Sequence, residues 1–181
     1  MKKIILAYIL ALTTSPIFAQ QTTIKIKFTG ATENKVFVQL PLDGTTFYPN
    51  REEKIFDADS ALVLSLPSQK IANLYISNSG KKFRFLIEPG NVSILLNVAK
   101  KASEGILYNG SNASGQIALN KRPSIFYQTR ASKYLIADCT ANGAMKLLDA
   151  DKEKDYKVFQ DLLDEKKISK VFFDEVKRDI K

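Results

Sequence analysis

The residues able to do chemistry in this chain are carboxylates and one thiol. Glu52-Glu53, Asp57-Ala58-Asp59 and Asp149-Ala150-Asp151 bring acids close together. Such pairs serve general acid and base catalysis, or hold hard cations through oxygen. Their settings argue against both uses. Glu52 and Glu53 fall in or beside a strand, where neighbouring side chains point to opposite faces, so the pair diverges. Asp57 and Asp59 read as turn residues, Asp149 and Asp151 as a helix boundary. The spacing of a calcium loop is missing. Cys139 is the only cysteine, and histidine is absent. A lone thiol has no partner for dithiol exchange, and free cysteine most often packs as a small buried hydrophobe. Without histidine the chain lacks the commonest proton-transfer group and metal ligand, and a serine nucleophile lacks its usual base. No glycine-rich loop precedes a helix to cradle phosphate. Asn91-Val92-Ser93, Asn109-Gly110-Ser111 and Asn112-Ala113-Ser114 match the glycosylation triplet, a short pattern that chance explains. Phe47, Tyr48, Tyr75 and Tyr108 are candidates to line a ligand groove, although such aromatics more often finish a core or cover a sheet edge. No catalytic, cofactor-binding or metal-ligating residue and no cofactor is expected.

Any such side chain has to be positioned by the elements around it, and these begin after a leader. Residues 1–19 hold Lys2-Lys3, an apolar run from Ile4 to Leu12, then Thr13-Thr14-Ser15-Pro16 and a small residue, Ala19. This is the pattern of a secretory signal, too short to span a bilayer permanently, with cleavage expected between Ala19 and Gln20. Ile17 stands where a small residue is usual. No cysteine ends the leader, and no second apolar run approaches membrane-spanning length, so a soluble exported protein is expected. Of 27 basic residues two lie in the leader; the remaining 25 face 19 acidic ones, about +6 against +8 for the whole chain. The basic excess falls in short clusters at Lys81-Lys82, Lys100-Lys101, Lys121-Arg122 and Lys166-Lys167. A nucleic-acid role calls for a basic stripe with interleaved aromatics, so none is expected.

From Thr22 to about Tyr108 the apolar period is two. Ile24, Ile26 and Phe28 alternate with Lys25 and Lys27; Leu62, Leu64 and Leu66 share a face; Phe83, Phe85 and Ile87 share another, with Arg84 and Glu88 outward. Seven or eight short antiparallel strands follow. Pro89-Gly90 suits a type II turn, and Asp43-Gly44 and Asn78-Ser79-Gly80 are similar punctuation. Beyond Asn109-Gly110-Ser111 the period becomes helical. Tyr156, Phe159, Leu162 and Leu163 fit one helix face, Phe172, Val176 and Ile180 another. Asp151 is a candidate helix start, Ser169 an N-cap, Asn142-Gly143 a helix end, and Pro123 a helix start or kink. The expected class is α+β: an antiparallel β-sandwich or open barrel over 20–110, then a small helical segment over 111–181.

One stretch resembles a known family. Phe85-Leu-Ile-Glu-Pro-Gly-Asn-Val-Ser-Ile, followed by Gly105-Ile-Leu-Tyr-Asn-Gly-Ser-Asn-Ala, is similar to the amino-terminal β domain of exported TlpA-like thiol–disulfide oxidoreductases. There a strand–x-Pro-Gly–strand hairpin is followed by a Gly-Ser-x-Ala entry into helix. The leader, the first strand ending at Gly30 and the Val36-Phe-Val-Gln-Leu strand fit as well. The family's redox centre is a Cys-x-x-Cys in a later thioredoxin domain, and this chain holds only Cys139. The resemblance therefore implies a non-catalytic binding or accessory module in the periplasm or elsewhere in a Gram-negative envelope, not an enzyme. Its expected partner is a protein or another envelope component, without nucleic acid and without a membrane span once the leader is removed. Two alternatives stand beside it: the front part of an active oxidoreductase, and a structural envelope domain that binds carbohydrate or protein.

Overall fold

The computed structural model describes residues 22–40, 51–57, 59–66, 71–122, 132, 134 and 140–180. The period-two segments form eight strands: β1 (Thr22–Thr29), β2 (Lys35–Gln39), β3 (Arg51–Ile55), β4 (Ala61–Leu66), β5 (Ala72–Asn78), β6 (Lys81–Ile87), β7 (Asn91–Asn97) and β8 (Ile106–Asn109). They build two four-stranded sheets, ordered β4-β1-β7-β8 and β3-β2-β5-β6. One face of each sheet turns inward. Ile24, Ile26 and Phe28 of β1 and Ile94 of β7 share one core with Val36 and Val38 of β2 and with Leu74 and Ile76 of β5. Among the described residues the arrangement is an open sandwich with helices packed beside it, an α+β fold with no closed barrel.

Two expectations about strand direction and turns are corrected. β1 and β7 run parallel, from Thr23 opposite Asn91 to Thr29 opposite Asn97. Inward alternation is the same for either direction, so the pattern alone could not separate them. Pro89-Gly90 is also a corner between sheets rather than a hairpin, because β6 and β7 belong to different sheets. Gly90 has φ 130°, well beyond the value for a type II turn. Its carbonyl accepts from Thr23 N at 3.1 Å, which ties the corner to the start of β1. The β5–β6 connection is a true two-residue hairpin. Ser79 and Gly80 have φ 48° and 76°, the positive pair that a type I′ turn needs.

A third layer covers β6. The helices described from end to end are α1 (Ala113–Lys121), α2 (Ala141–Asp164) and α3 (Lys170–Ile180). Leu86, on the side of β6 facing away from the sandwich core, is buried with Leu119, Phe159, Ile168, Phe172, Phe173, Val176 and Ile180. Ser169 caps α3 as expected, its hydroxyl accepting from Phe172 N at 3.0 Å. The other helix boundaries differ. Asp149 and Asp151 lie inside α2, and Asn142-Gly143 falls in its first turn rather than ending a helix. Thr140 is extended and its hydroxyl accepts from Gly143 N at 3.1 Å, so a good N-cap outweighs a local helix breaker. α2 closes with Lys166 left-handed at φ 56°, Lys166 N bonded to Leu163 O and Lys167 N to Leu162 O, a Schellman motif without glycine. Pro123 and Cys139 lie outside the described residues. No helix among the described residues is long and apolar enough to cross a membrane.

Candidate functional site

The carboxylate pairs do not converge. Glu52 lies opposite Val38 and pairs with Lys54 at 2.5 Å, whereas Glu53 lies opposite Phe37 and pairs with Lys35 at 3.1 Å. Asp57 shapes the turn into β4: its carboxylate accepts from Ala61 N at 2.8 Å. Asp149 reaches Lys152 at 3.9 Å along α2, and Asp151 accepts from the Tyr134 hydroxyl. Among the described residues no group of three or more acids or other ligands gathers as a cation would need. Of the candidate aromatics, the described pair Tyr75 and Tyr108 do not share a groove. Tyr108 faces the core and stacks on Phe85, with ring centroids 6.1 Å apart. Tyr75 faces the other way, under the Arg84 guanidinium at 5.7 Å. Phe47 and Tyr48 lie outside the described residues. Burial pushes the Tyr108 hydroxyl up to about 12, with Gln116 lowering it and Glu88 raising it by lesser amounts. Lys81 donates to the Val98 and Lys100 carbonyls at 2.5 and 2.9 Å, which brings two of the short lysine clusters to one end of the sandwich.

The two segments that carry the family resemblance do meet, and they meet at a joint. Glu88, from the first, accepts from the Ser111 hydroxyl of the second at 3.0 Å and from Ser169 Oγ at 2.5 Å. Its charge therefore sits at the α3 N-terminus, where the helix dipole favours an anion. Asn112 starts α1 in the left-handed conformation, at φ 65°, and its carboxamide oxygen accepts from Ser169 N. One turn further on, two carboxamides close the edge of β6. Gln116 Oε1 accepts from Leu86 N at 3.1 Å while its Nε2 donates to Leu86 O at 2.6 Å. Asn120 repeats the pairing with Arg84, accepting from N at 2.9 Å and donating to O at 2.7 Å. Arg84 itself is buried, held by Asn73 Oδ1 at 2.9 and 2.7 Å and ion-paired with Asp179 of α3. This cluster aligns the helices with the sheet; Asn112 Nδ2 is a buried polar atom in it that has no hydrogen-bond partner among the described residues.

What the joint positions is a groove of about 670 Å³ between α1 and α2. Ile117 and Ala118 from α1 and Val158, Phe159 and Leu162 from α2 supply its apolar floor; Lys121, Lys154, Asp161 and Glu165 supply charge at its rim. Arg122 and Asp155 form an ion pair, Nε to Oδ2 at 2.9 Å, with side chains 3% and 15% exposed. Val158 remains 45% exposed on the floor. An apolar strip with flanking charges of both signs suits a peptide or helix laid along it. The apolar spacing predicts a packed helix face with Phe159 and Leu162 and gives no binding role to Val158 or Ile117. The available signal was Val158 four residues before Leu162, one apolar position more than burying α2 requires. Comparison with protein-family models, with curated proteins and with solved structures returned no match.

Proposed function

We propose that this chain is an exported, non-catalytic binding module of a Gram-negative envelope, and that the groove between α1 and α2 holds a protein partner. The observation that carries the reading is the open apolar floor around Val158, backed by buried Phe159 and bounded by the Arg122–Asp155 pair. Hydrophobic residues left open on a rigid support, with charge at the rim, are the composition of a protein-binding surface. The leader pattern supports export. A single cysteine with no second thiol in the chain supports the absence of dithiol turnover. Kinship with the front part of a TlpA-like oxidoreductase is a second reading, favoured by the meeting of both motif segments at Glu88, Ser111 and Ser169. A photo-cross-linking residue at position 158, in the exporting cell, tests the groove. A discrete adduct is expected there and not at position 145, where Met145 is 51% exposed on the same helix. Equal labelling at both positions, or none at 158, would reject the groove as the binding surface.

A further inference from the structure

Among the described strands, three of the four sheet edges are closed or guarded. β6 is sealed by the Gln116 and Asn120 carboxamides. β8 is only four residues long and lies against α1. β3 carries Arg51, Glu52, Glu53 and Lys54 in five residues, charges that discourage an incoming strand. β4, Ala-Leu-Val-Leu-Ser-Leu, has no charge and no proline, and pairs with β1 without interruption over six residues.

The backbone groups on its free side can be identified. Thr23 N and Thr29 O bond toward β7, so the odd residues of β1 face that strand. Phe28 N bonds to Ser60 O, so the even residues face β4. In an antiparallel ladder the facing residues alternate. Leu62, Leu64 and Leu66 therefore direct their amides and carbonyls to β1, and Ala61, Val63 and Ser65 direct theirs outward. Ala61 is already engaged, its N–H by the Asp57 carboxylate and its carbonyl by Asp57 N. The open set is the N–H and C=O of Val63 and of Ser65. Val63 is 59% exposed, and no described residue is hydrogen-bonded to these groups.

We infer that β4 is a self-association edge, where a second copy of this chain adds its own β4 antiparallel with Val63 opposite Ser65 of the second copy. In that register each Val63 and each Ser65 exchanges both of its bonds, so all the open groups of both copies are satisfied and Ala61 keeps its bonds to Asp57. Leu64 then faces Leu64 of the second copy on the core side, with Leu62 opposite Leu66. Shifting the centre to Val63 would set Ser65 against the occupied Ala61. No charge meets a like charge in the favoured register. A two-fold strand pairing of this kind is isologous and closes at two copies.

Sedimentation equilibrium of the purified protein tests this, together with Val63→Pro and Ser65→Lys. Val63→Pro removes an outward N–H and leaves the ladder to β1 intact, since that ladder uses Leu62 and Leu64. Two hydrogen bonds are lost per dimer, so the dimer Kd is expected to rise by roughly tenfold. Ser65→Lys adds a gatekeeping charge at an exposed position and is expected to do at least as much, and it serves as the test should the proline variant fail to fold. Both variants should match the parent in melting temperature at concentrations where the parent is monomeric. A parent that stays monomeric to about 1 mM overturns the proposal. So does a dimer that survives Ser65→Lys, or a different polypeptide sedimenting in place of the second copy.

Discussion

Gln116 is the most buried polar side chain of the joint, and replacing it with methionine removes both of its hydrogen bonds to Leu86 while nearly preserving volume. Gln116 and Leu86 are both 0% exposed, so water cannot replace the lost partner. The substitution leaves Leu86 N–H and C=O buried without bonds, at about 1–3 kcal/mol each. Burying a thioether in place of a carboxamide returns part of this, on the order of 1–2 kcal/mol. The expected net loss is about 2–4 kcal/mol. Asn120→Leu makes the comparison informative. Asn120 is half-buried and bonds to Arg84 in a part-buried setting, so the freed groups are less completely removed from water than those of Leu86 and the loss should be smaller, about 1 kcal/mol. Urea unfolding measures both as a drop in midpoint at constant slope. Amide exchange adds a local readout: Leu86 should lose protection in Gln116→Met while Leu74, inside the β5 ladder, keeps it. A Gln116→Met loss below about 0.5 kcal/mol, or one no larger than for Asn120→Leu, would refute the claim that these carboxamides close the edge of β6.

Gly115 is where α1 meets α3, because a Cβ there would sit 2.5 Å from Phe172 Cε1 and 2.7 Å from Ile168 Cγ2. Gly115→Ala should therefore destabilise by about 1–2 kcal/mol in the same urea assay despite the better helix propensity of alanine, and a gain in stability would contradict the close packing. Tyr108 has its hydroxyl raised from 10.0 to about 12 in the fold, chiefly by burial. The unfolded chain ionises first, so its stability contribution is fully present below pH 10 and is lost between pH 10 and 12. The loss is on the order of 2–3 kcal/mol, and Tyr108→Phe should flatten that part of a stability–pH profile. The purified protein should not accelerate insulin reduction by dithiothreitol, and Cys139→Ser should leave that assay unchanged; turnover that vanishes with the substitution would move the chain to the oxidoreductases.

The strands were legible because each buries one face, and half-burial writes itself into the chain at period two. Ile24, Ile26 and Phe28, or Leu62, Leu64 and Leu66, announce their own inward side. Which strand lies beside which depends on contacts far apart in sequence, so the parallel β1–β7 pair left no local mark. β6 is the informative exception. Phe83 through Ile87 are all buried, because α1 and α3 cover the face that alternation assigns to solvent. Arg84 reads as an outward charge and is in fact buried under α3 with Asp179. The consecutive Phe85-Leu86-Ile87 run was the available sign of a strand covered on both faces. The start of α2 was hidden because Asn142-Gly143 looks like a stop until Thr140 is recognised as the cap.

Gln116 and Asn120 were unreadable for a different reason: on a helix, an amide at i and another at i+4 look like any solvated face. Their meaning depends on a coincidence of two repeats. Four helical residues advance about 6 Å, and two strand residues advance about 6.6 Å. One face of α1 laid along β6 can therefore present a carboxamide to every second strand residue for two consecutive pairs, and it falls out of step beyond that. Arg84 and Leu86 are those two residues. The same edge could have been closed by another strand, at the cost of a flat, continuous sheet. Closing it with a helix turns α1 across the sheet edge and brings Ile117 and Ala118 to α2, so the groove exists because the edge is sealed by side chains rather than by backbone.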